Sequence, residues 1–458
     1  MQESRSPAHP DQVLAAFPDL EPGDVAEAVG AARAAASGWA RLPALERSRA
    51  LEAAADAVAT AAADLTELGI AEVGKPRGEM AGEVARGVAI LRYYAQAALD
   101  PDGDTLPSAD GRSLLMSRRR PHGVAGCITP WNFPVAIPLW KIAPALAYGN
   151  AVAWKPSPAA TAIARELAAL LATALPPRVL ALVTGDAATG QALTESADVI
   201  SFTGSAAVGR SVAVAAAQRG IPAQAEMGGQ NPAVILPDAD LEQAAQIIAQ
   251  AAMGYAGQKC TATSRVVVVG DAAAASEALA AAVRRLPVGD PADDGTVVGP
   301  VISEAAMSRV LDAAAEAGRL GGRVILGDDP VPEEGYFVAP VLADGIDPSA
   351  RIAQEEIFGP FAVILSARDD DDALRIANGV RYGLAASVFT RDLDRALRFT
   401  EELDAGLVRV NAPTSGVDFY APFGGFKDSS SGPREQGKAA RDFFTVTRTI
   451  TISPSSPR

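Results

Sequence analysis

The sequence predicts an α/β protein of two doubly wound lobes, on three observations. A chain of 458 residues has room for two or three domains, each with its own core. Its residues are 49% hydrophobic but only 5% aromatic, so that core is built from Ala, Val, Leu and Ile, whose small side chains let helices pack closely on a sheet. Strand-like and helix-like segments also alternate in two successive sets, the pattern of parallel strands joined by crossover helices.

The first 100 residues read as helices. Asp24 can cap a helix over 25–39, residues 46–68 are Ala-rich with apolar spacing of three and four, and a third helix covers 83–98. Strands follow at 114–118 and 124–128, on either side of Pro121. The first alternating set is strand 151–154, helix 159–174, strand 179–183, a helix from 187, strand 199–202 and helix 206–218. The second set is strand 233–236, helix 241–255, strand 266–269, helices 274–286 and 304–317, and strands near 324 and 338. Residues 287–300 and 328–335 are Pro- and Gly-rich loops. The tail 443–452 alternates polar and β-branched residues and reads as an exposed edge strand, which invites pairing with another subunit.

Composition excludes several classes of function. A net charge of −15 repels phosphate backbones and anionic lipid, so neither nucleic acid nor membrane is an expected partner. No apolar run reaches the ~18–20 residues that span a bilayer, and the first residues lack a signal-peptide pattern, so a cytoplasmic location is expected. Cys127 and Cys260 are too few and too far apart for a disulfide framework or a zinc site, and no metal is expected. The two histidines, His9 and His122, leave little material for a Ser-His-Asp hydrolase.

Six segments could carry chemistry. Cys260 lies in Gly257-Gln258-Lys259-Cys260-Thr261, between a helix and a strand; a helix end and the adjacent Lys259 favour a thiolate, though a small buried hydrophobe fits equally. Glu226 ends an extended stretch before Gly228-Gly229, where partial burial would suit a general base and solvent a plain turn. Asn132 is framed by Pro130, Trp131, Phe133 and Pro134, a stiff setting for an oxyanion donor or simply a Pro-rich turn. Residues 200–209 pass from strand to helix through Thr203-Gly204-Ser205, which offers free N–H groups to a phosphate without a G-x-G-x-x-G fingerprint. Lys155 and Ser157 follow a strand end, as a ribose or phosphate site would require, and Glu356-Ile357-Phe358 lies in a charged turn.

Taken together and in this order, these segments resemble the aldehyde dehydrogenase superfamily over nearly the whole chain. The resemblance implies an aldehyde dehydrogenase-like fold. Residues 1–111 and 122–228 would form a dinucleotide-binding domain, 229–428 a catalytic domain, and 112–121 with 440–454 the strands of a small β oligomerisation domain. It implies Cys260 as nucleophile, Glu226 as base, and Asn132 with the Cys260 backbone N–H as oxyanion donors. Contacts to NAD or NADP map onto Thr129, Trp131, Lys155, Ser157, Gly204, Ser205, Gly209, Glu356 and Phe358. The implied substrate is a small aldehyde, the product its acid, the intermediate a cysteine thioester, and the assembly a homodimer or homotetramer.

Within the superfamily, residues 137–144, 410–418 and 422–437 are similar to the branch that oxidises α-ketoglutaric semialdehyde (2,5-dioxovalerate). Succinic-semialdehyde enzymes commonly place Arg before the lysine at position 141, where this chain has Trp140. A succinic-semialdehyde or broad-range enzyme is the alternative reading. NAD-selective members often carry Glu three residues after Lys155; Pro158 stands there, so NADP is expected to be accepted. Glu226 argues against a CoA-acylating enzyme, and Cys260 with Asn132 argues against a non-catalytic binding protein.

Overall fold

The computed structural model describes residues 2–455. Five parallel strands lie in the order Leu180–Leu182, Ala151–Lys155, Val124–Ile128, Val199–Thr203, Ala223–Glu226. The chain winds outward from Val124–Ile128 in one direction and then returns to wind the other way. The switch point therefore falls between Val124–Ile128 and Val199–Thr203, and a ligand crevice opens beyond the carboxyl ends of such a pair. A sixth strand, Ser430–Ser431, pairs antiparallel with Ala223–Glu226 and arrives from far along the chain.

The second sheet has seven strands, in the order Arg323–Leu326, Val341–Asp344, Phe361–Ala367, Thr263–Val269, Asn231–Ile235, Ala385–Phe389, Leu407–Val410. All neighbours are parallel except the first pair. Its core is Ala, Val, Leu and Ile with few aromatics, as the composition requires. Its switch point lies between Asn231–Ile235 and Ala385–Phe389, and the strand Thr263–Val269 beside it follows the Cys260 loop.

Four helices, Pro22–Arg41, Ala44–Thr60, Ala62–Val73 and Arg77–Ala97, precede the first sheet, and those after the first share a core with it through Leu51, Leu91 and Trp154. Several boundaries differ from the sequence reading. Asp24 is not the cap of the first helix but sits inside its first turn, where it accepts from the Glu21 N–H at 3.1 Å. The single helix expected over 46–68 breaks at Ala61. Before all of these, Gln2–Arg5 pairs with Val13–Phe17 in a hairpin that the helical reading of the first 100 residues missed.

A third sheet joins Thr445–Ile452, Leu114–Pro121 and Thr105–Leu106, all antiparallel. Its last strand starts later than the tail pattern suggested. Residues Ala439–Phe444 form a helix whose Phe443 and Phe444 are buried with their rings 4.8 Å apart, so apolar burial overrides alternation there. The segment expected over 440–454 is thus strand only from Thr445 to Ile452. Thr105–Leu106, expected in the first lobe, belongs to this sheet, and residue 1 lies outside the described residues.

Candidate active site

Cys260 is delivered by an unusual turn. The helix expected over 241–255 ends at Met253, and Tyr255 (φ 55°), Ala256 (φ 51°) and Gly257 (φ 65°) are all left-handed. A left-handed L-residue costs roughly 1–2 kcal/mol, so the turn must be held from outside. Tyr255 is fully buried, its backbone N–H donates to Val297 O at 2.9 Å and its hydroxyl to Val73 O at 3.1 Å. A Cβ at Gly257 would collide with the Gly359 carbonyl. Beyond the turn, Asn231 Nδ2 donates to the carbonyls of Cys260 and Ala262, and Thr414 Oγ1 to that of Thr261.

The thiol is not the ready thiolate that its sequence neighbours suggest. Lys259 Nζ is engaged by Glu79 at 2.7 Å, and no α-helix ends at the cysteine. Burial first, then the carboxyls of Glu356 and Glu226, push the Cys260 thiol up to about 12. The free protein at neutral pH therefore carries a protonated thiol.

Asn132 lies in the turn between Val124–Ile128 and the helix Ala136–Ala147, with its side chain buried. Its Nδ2 donates to Gln258 O at 2.9 Å, which ties the amide to the cysteine loop. Its own carbonyl accepts from Lys75 Nζ at 2.9 Å. Lys75 is fully buried, bonded to Glu83 at 2.5 Å and 3.4 Å from the Phe133 ring centroid. Glu83 Oε1 in turn accepts the N–H groups of Val135 and Ala136 at 2.8 and 2.9 Å. This buried ion pair fixes the Asn132 turn.

Glu226 is the last residue of its strand and only 2% exposed. Oε2 accepts from Ser430 Oγ at 2.5 Å, while Oε1 has no partner among the described residues. Burial, then the charge of Glu435, raises its carboxyl well above the ordinary range. Glu435 is itself buried, accepting from Trp140 Nε1 at 2.7 Å, from Ser201 Oγ at 3.2 Å and from Lys141 Nζ.

Of the residues mapped to a dinucleotide, Thr129, Lys155, Ser157, Gly204, Ser205 and Gly209 follow strands of the first sheet, while Glu356 and Phe358 come from the second lobe. Thr129 N–H donates to Lys155 O, and its hydroxyl accepts from Trp154 Nε1. Burial lowers Lys155 to about 8, and its Nζ donates to Pro156 O. Ser157 Oγ accepts from Ala159 N–H and opens the short turn Pro158–Ala160. Gly204 N–H donates to Glu226 O, and Ser205 is the N-cap of the helix Ala206–Arg219. A Cβ at Gly209 would lie 2.6 Å from Met227 Sδ, so glycine there lets the helix lie close to the chain after Glu226. The rings of Trp131 and Phe358 meet edge to face at 5.8 Å, and Phe358 is left-handed at φ 57°. Glu356 accepts from Gly229 N–H at 3.1 Å, and burial raises its carboxyl to about 7.

A cavity of about 200 Å³ opens on Cys260, walled by Phe133, Trp140, Val417 and Phe423. Among the described residues no group of three or more His, Cys, Asp or Glu is placed to hold a metal ion, and no helix is long and apolar enough to cross a membrane.

A cysteine loop and a buried carboxylate meeting between two doubly wound sheets define an aldehyde-oxidising class, and the chain belongs to the aldehyde dehydrogenase family, whose family model matches residues 1–450. Among curated proteins it is 41% identical over 463 residues to the alpha-ketoglutaric semialdehyde dehydrogenase of Bacillus subtilis (strain 168), covering 99% of this chain and 95% of that one. It is 42% identical over 462 residues to the alpha-ketoglutarate semialdehyde dehydrogenase of Haloferax volcanii, covering 98% and 95%. The crystal structure of an NAD-dependent aldehyde dehydrogenase from Sinorhizobium meliloti superposes with a TM-score of 0.95 at 33% identity, covering 100% of this chain and 92% of that one.

Proposed function

We propose that this enzyme oxidises a carboxylated semialdehyde of the α-ketoglutaric type to the acid, with NAD or NADP as oxidant, through a thioester on Cys260. One observation carries the reading: Cys260 opens on an apolar cavity, and the buried Glu226 lies close enough for its charge to act on the thiol.

The Cys260 thiol gives up its proton to solvent, and the thiolate attacks the aldehyde carbon, forming the C–S bond as the carbonyl electron pair moves onto oxygen. Asn132 Nδ2 turns from Gln258 O to the new oxyanion, assisted by the Cys260 N–H. A nicotinamide held beside Thr129, Trp131 and Phe358 would supply the oxidising power, as acceptor of a hydride from the carbon bonded to Cys260, which leaves the thioester. Glu226 Oε1, the oxygen left free of Ser430, takes a proton from water as that water attacks the thioester. The C–S bond breaks, the acid leaves and the cysteine is restored. Glu226 is the base in this reading, its carboxyl raised well above the ordinary range by burial.

The fit to a dinucleotide rests on an orphan donor. Thr203 Oγ1 is buried without a partner among the described residues, at the strand end where the helix Ala206–Arg219 begins. Gly204, Ser205 and Gly209 would lie along the pyrophosphate at that helix start, with Lys155, Ser157 and Glu356 on the riboses and Thr129, Trp131 and Phe358 beside the nicotinamide half. In this reading the six-stranded lobe is the cofactor domain and the seven-stranded lobe the catalytic domain. The outer edge of Thr445–Ile452 would pair subunits of a cytoplasmic homodimer or homotetramer.

The test is a steady-state panel of α-ketoglutaric semialdehyde, succinic semialdehyde, pentanal and acetaldehyde with each cofactor. The highest kcat/KM is expected for α-ketoglutaric semialdehyde. Equal values for it and acetaldehyde would overturn the substrate and leave the reaction class standing.

A further inference from the structure

We infer that Arg86 is the residue that takes the anionic end of the substrate, and so sets the preference for carboxylated aldehydes. The inference rests on the substrate reading above and supplies the partner that the carboxylate needs.

Arg86 projects from the helix Arg77–Ala97 into the wall of the cavity that opens on Cys260. Six aromatic or aliphatic residues line that wall, and three charged side chains reach it: Arg86, Lys259 and Glu79. Lys259 and Glu79 cancel each other in their 2.7 Å ion pair. Arg86 stays uncompensated. Among the described residues no carboxylate lies within ion-pair distance of it, and its one bond runs from Nη1 to Val417 O at 2.7 Å. A guanidinium has five N–H donors in a planar fork, so most of its capacity remains open. A half-buried cation beside apolar walls gains most from an anion that brings its own apolar stem.

The bond to Val417 O also pins one edge of the fork, which leaves less orientational freedom to lose when a carboxylate docks. Trp140, which also lines the cavity, cannot take that part, because its Nε1 is committed to Glu435. A second sign that the cavity takes a polar occupant is Gln436, which lines it and whose side-chain Oε1 is buried without a partner among the described residues. A five-carbon semialdehyde with its aldehyde carbon at Cys260 carries its carboxylate at the opposite end, into the reach of Arg86.

The experiment compares the full-length enzyme with Arg86→Met and Arg86→Lys, on α-ketoglutaric semialdehyde and on pentanal, an uncharged aldehyde of the same length. In Arg86→Met the ratio of the two kcat/KM values is expected to fall about tenfold or more, chiefly through KM for the semialdehyde. Arg86→Lys should recover part of the ratio, since a point charge replaces the fork. Glutarate, as a competitive inhibitor, should lose affinity for Arg86→Met by a similar factor. If both aldehydes decline in parallel, Arg86 only tethers the Val417 loop and the inference is overturned. If wild type prefers the semialdehyde and Arg86→Met keeps that preference, the inference fails while the substrate reading survives. If wild type shows no preference for the semialdehyde over pentanal, both fall together.

Discussion

Asn231 holds Cys260 by the cysteine's own backbone: one side-chain nitrogen donates to the carbonyls of Cys260 and Ala262, at 2.8 Å each. Its oxygen accepts from the Ala385 N–H at 3.0 Å, so a single buried amide joins the cysteine loop to both sides of the second switch point. Asn231→Ala strands three polar groups, and each unsatisfied one costs about 1–3 kcal/mol. The expected result is a melting temperature lower by roughly 5 °C or more, with kcat falling further than KM rises. An unaltered melting curve and kcat would show that the loop stands without the clamp.

Cys260→Ala should abolish oxidation of every aldehyde. Glu226→Gln should keep the first half-reaction and lose the second, since acylation needs the thiolate and deacylation needs the base. Rapid mixing is expected to show one equivalent of reduced cofactor per site, followed by a steady state slower by roughly 10²–10⁴-fold. Full turnover in Cys260→Ala would sink the mechanism, and loss of the burst in Glu226→Gln would move the base to the first step.

Alkylation of Cys260 in the cofactor-free enzyme should accelerate with pH well beyond neutrality, because the thiol sits at about 12. Glu356 is a cause of that position and is itself centred at about 7. Above that pH its negative charge holds the thiol up, so Glu356→Gln lowers the thiol pKa and speeds alkylation, by about two- to fivefold for a shift of roughly half a unit. Below it Glu356 is protonated and the two proteins should converge. Iodoacetamide rates at pH 6 and pH 9 separate these cases. An equal ratio at both would mean that Glu356 acts by shape rather than charge.

Pro158 begins the short turn after Ser157, a position that a glutamate can occupy without disturbing the helix that follows. Wild type is expected to use NADP. Pro158→Glu should depress kcat/KM for NADP by about 10- to 100-fold relative to NAD, through repulsion of the 2′-phosphate. Strict use of NAD by the wild type would remove the argument from proline altogether.

Strands of the first sheet were legible where they are short apolar runs bounded by turn residues, as in 151–155 and 199–203, whereas Phe361–Ala367, Ala385–Phe389 and Leu407–Val410 of the second sheet were not read as strands. The strand Gln2–Arg5 is a polar stretch with no apolar alternation, stabilised by its partner Val13–Phe17, which local pattern does not show. The left-handed Tyr255 and Ala256 were also invisible, since the buried tyrosine and the Val73 and Val297 carbonyls that hold the turn come from elsewhere in the chain. At the site, Cys260, Glu226 and Asn132 stand in local motifs and could be picked out. Lys141 with Glu435, and Lys75 with Asn132, could not: the partners are separated by 294 and 57 residues, and only the fold brings them together. Lys259 misled for the same reason, its charge being absorbed by Glu79, 180 residues away.

The two residues Ser430–Ser431 finish the first sheet beside Glu226, yet they are synthesised only after the whole second sheet. A nascent chain that has emerged as far as residue 228 therefore holds Glu226 on an open strand edge with no serine to orient it. Such an edge is prone to mispairing until it is capped. The six-stranded lobe is accordingly a poor candidate for expression as a separate fragment, and Glu226 gains its serine partner only near the end of translation.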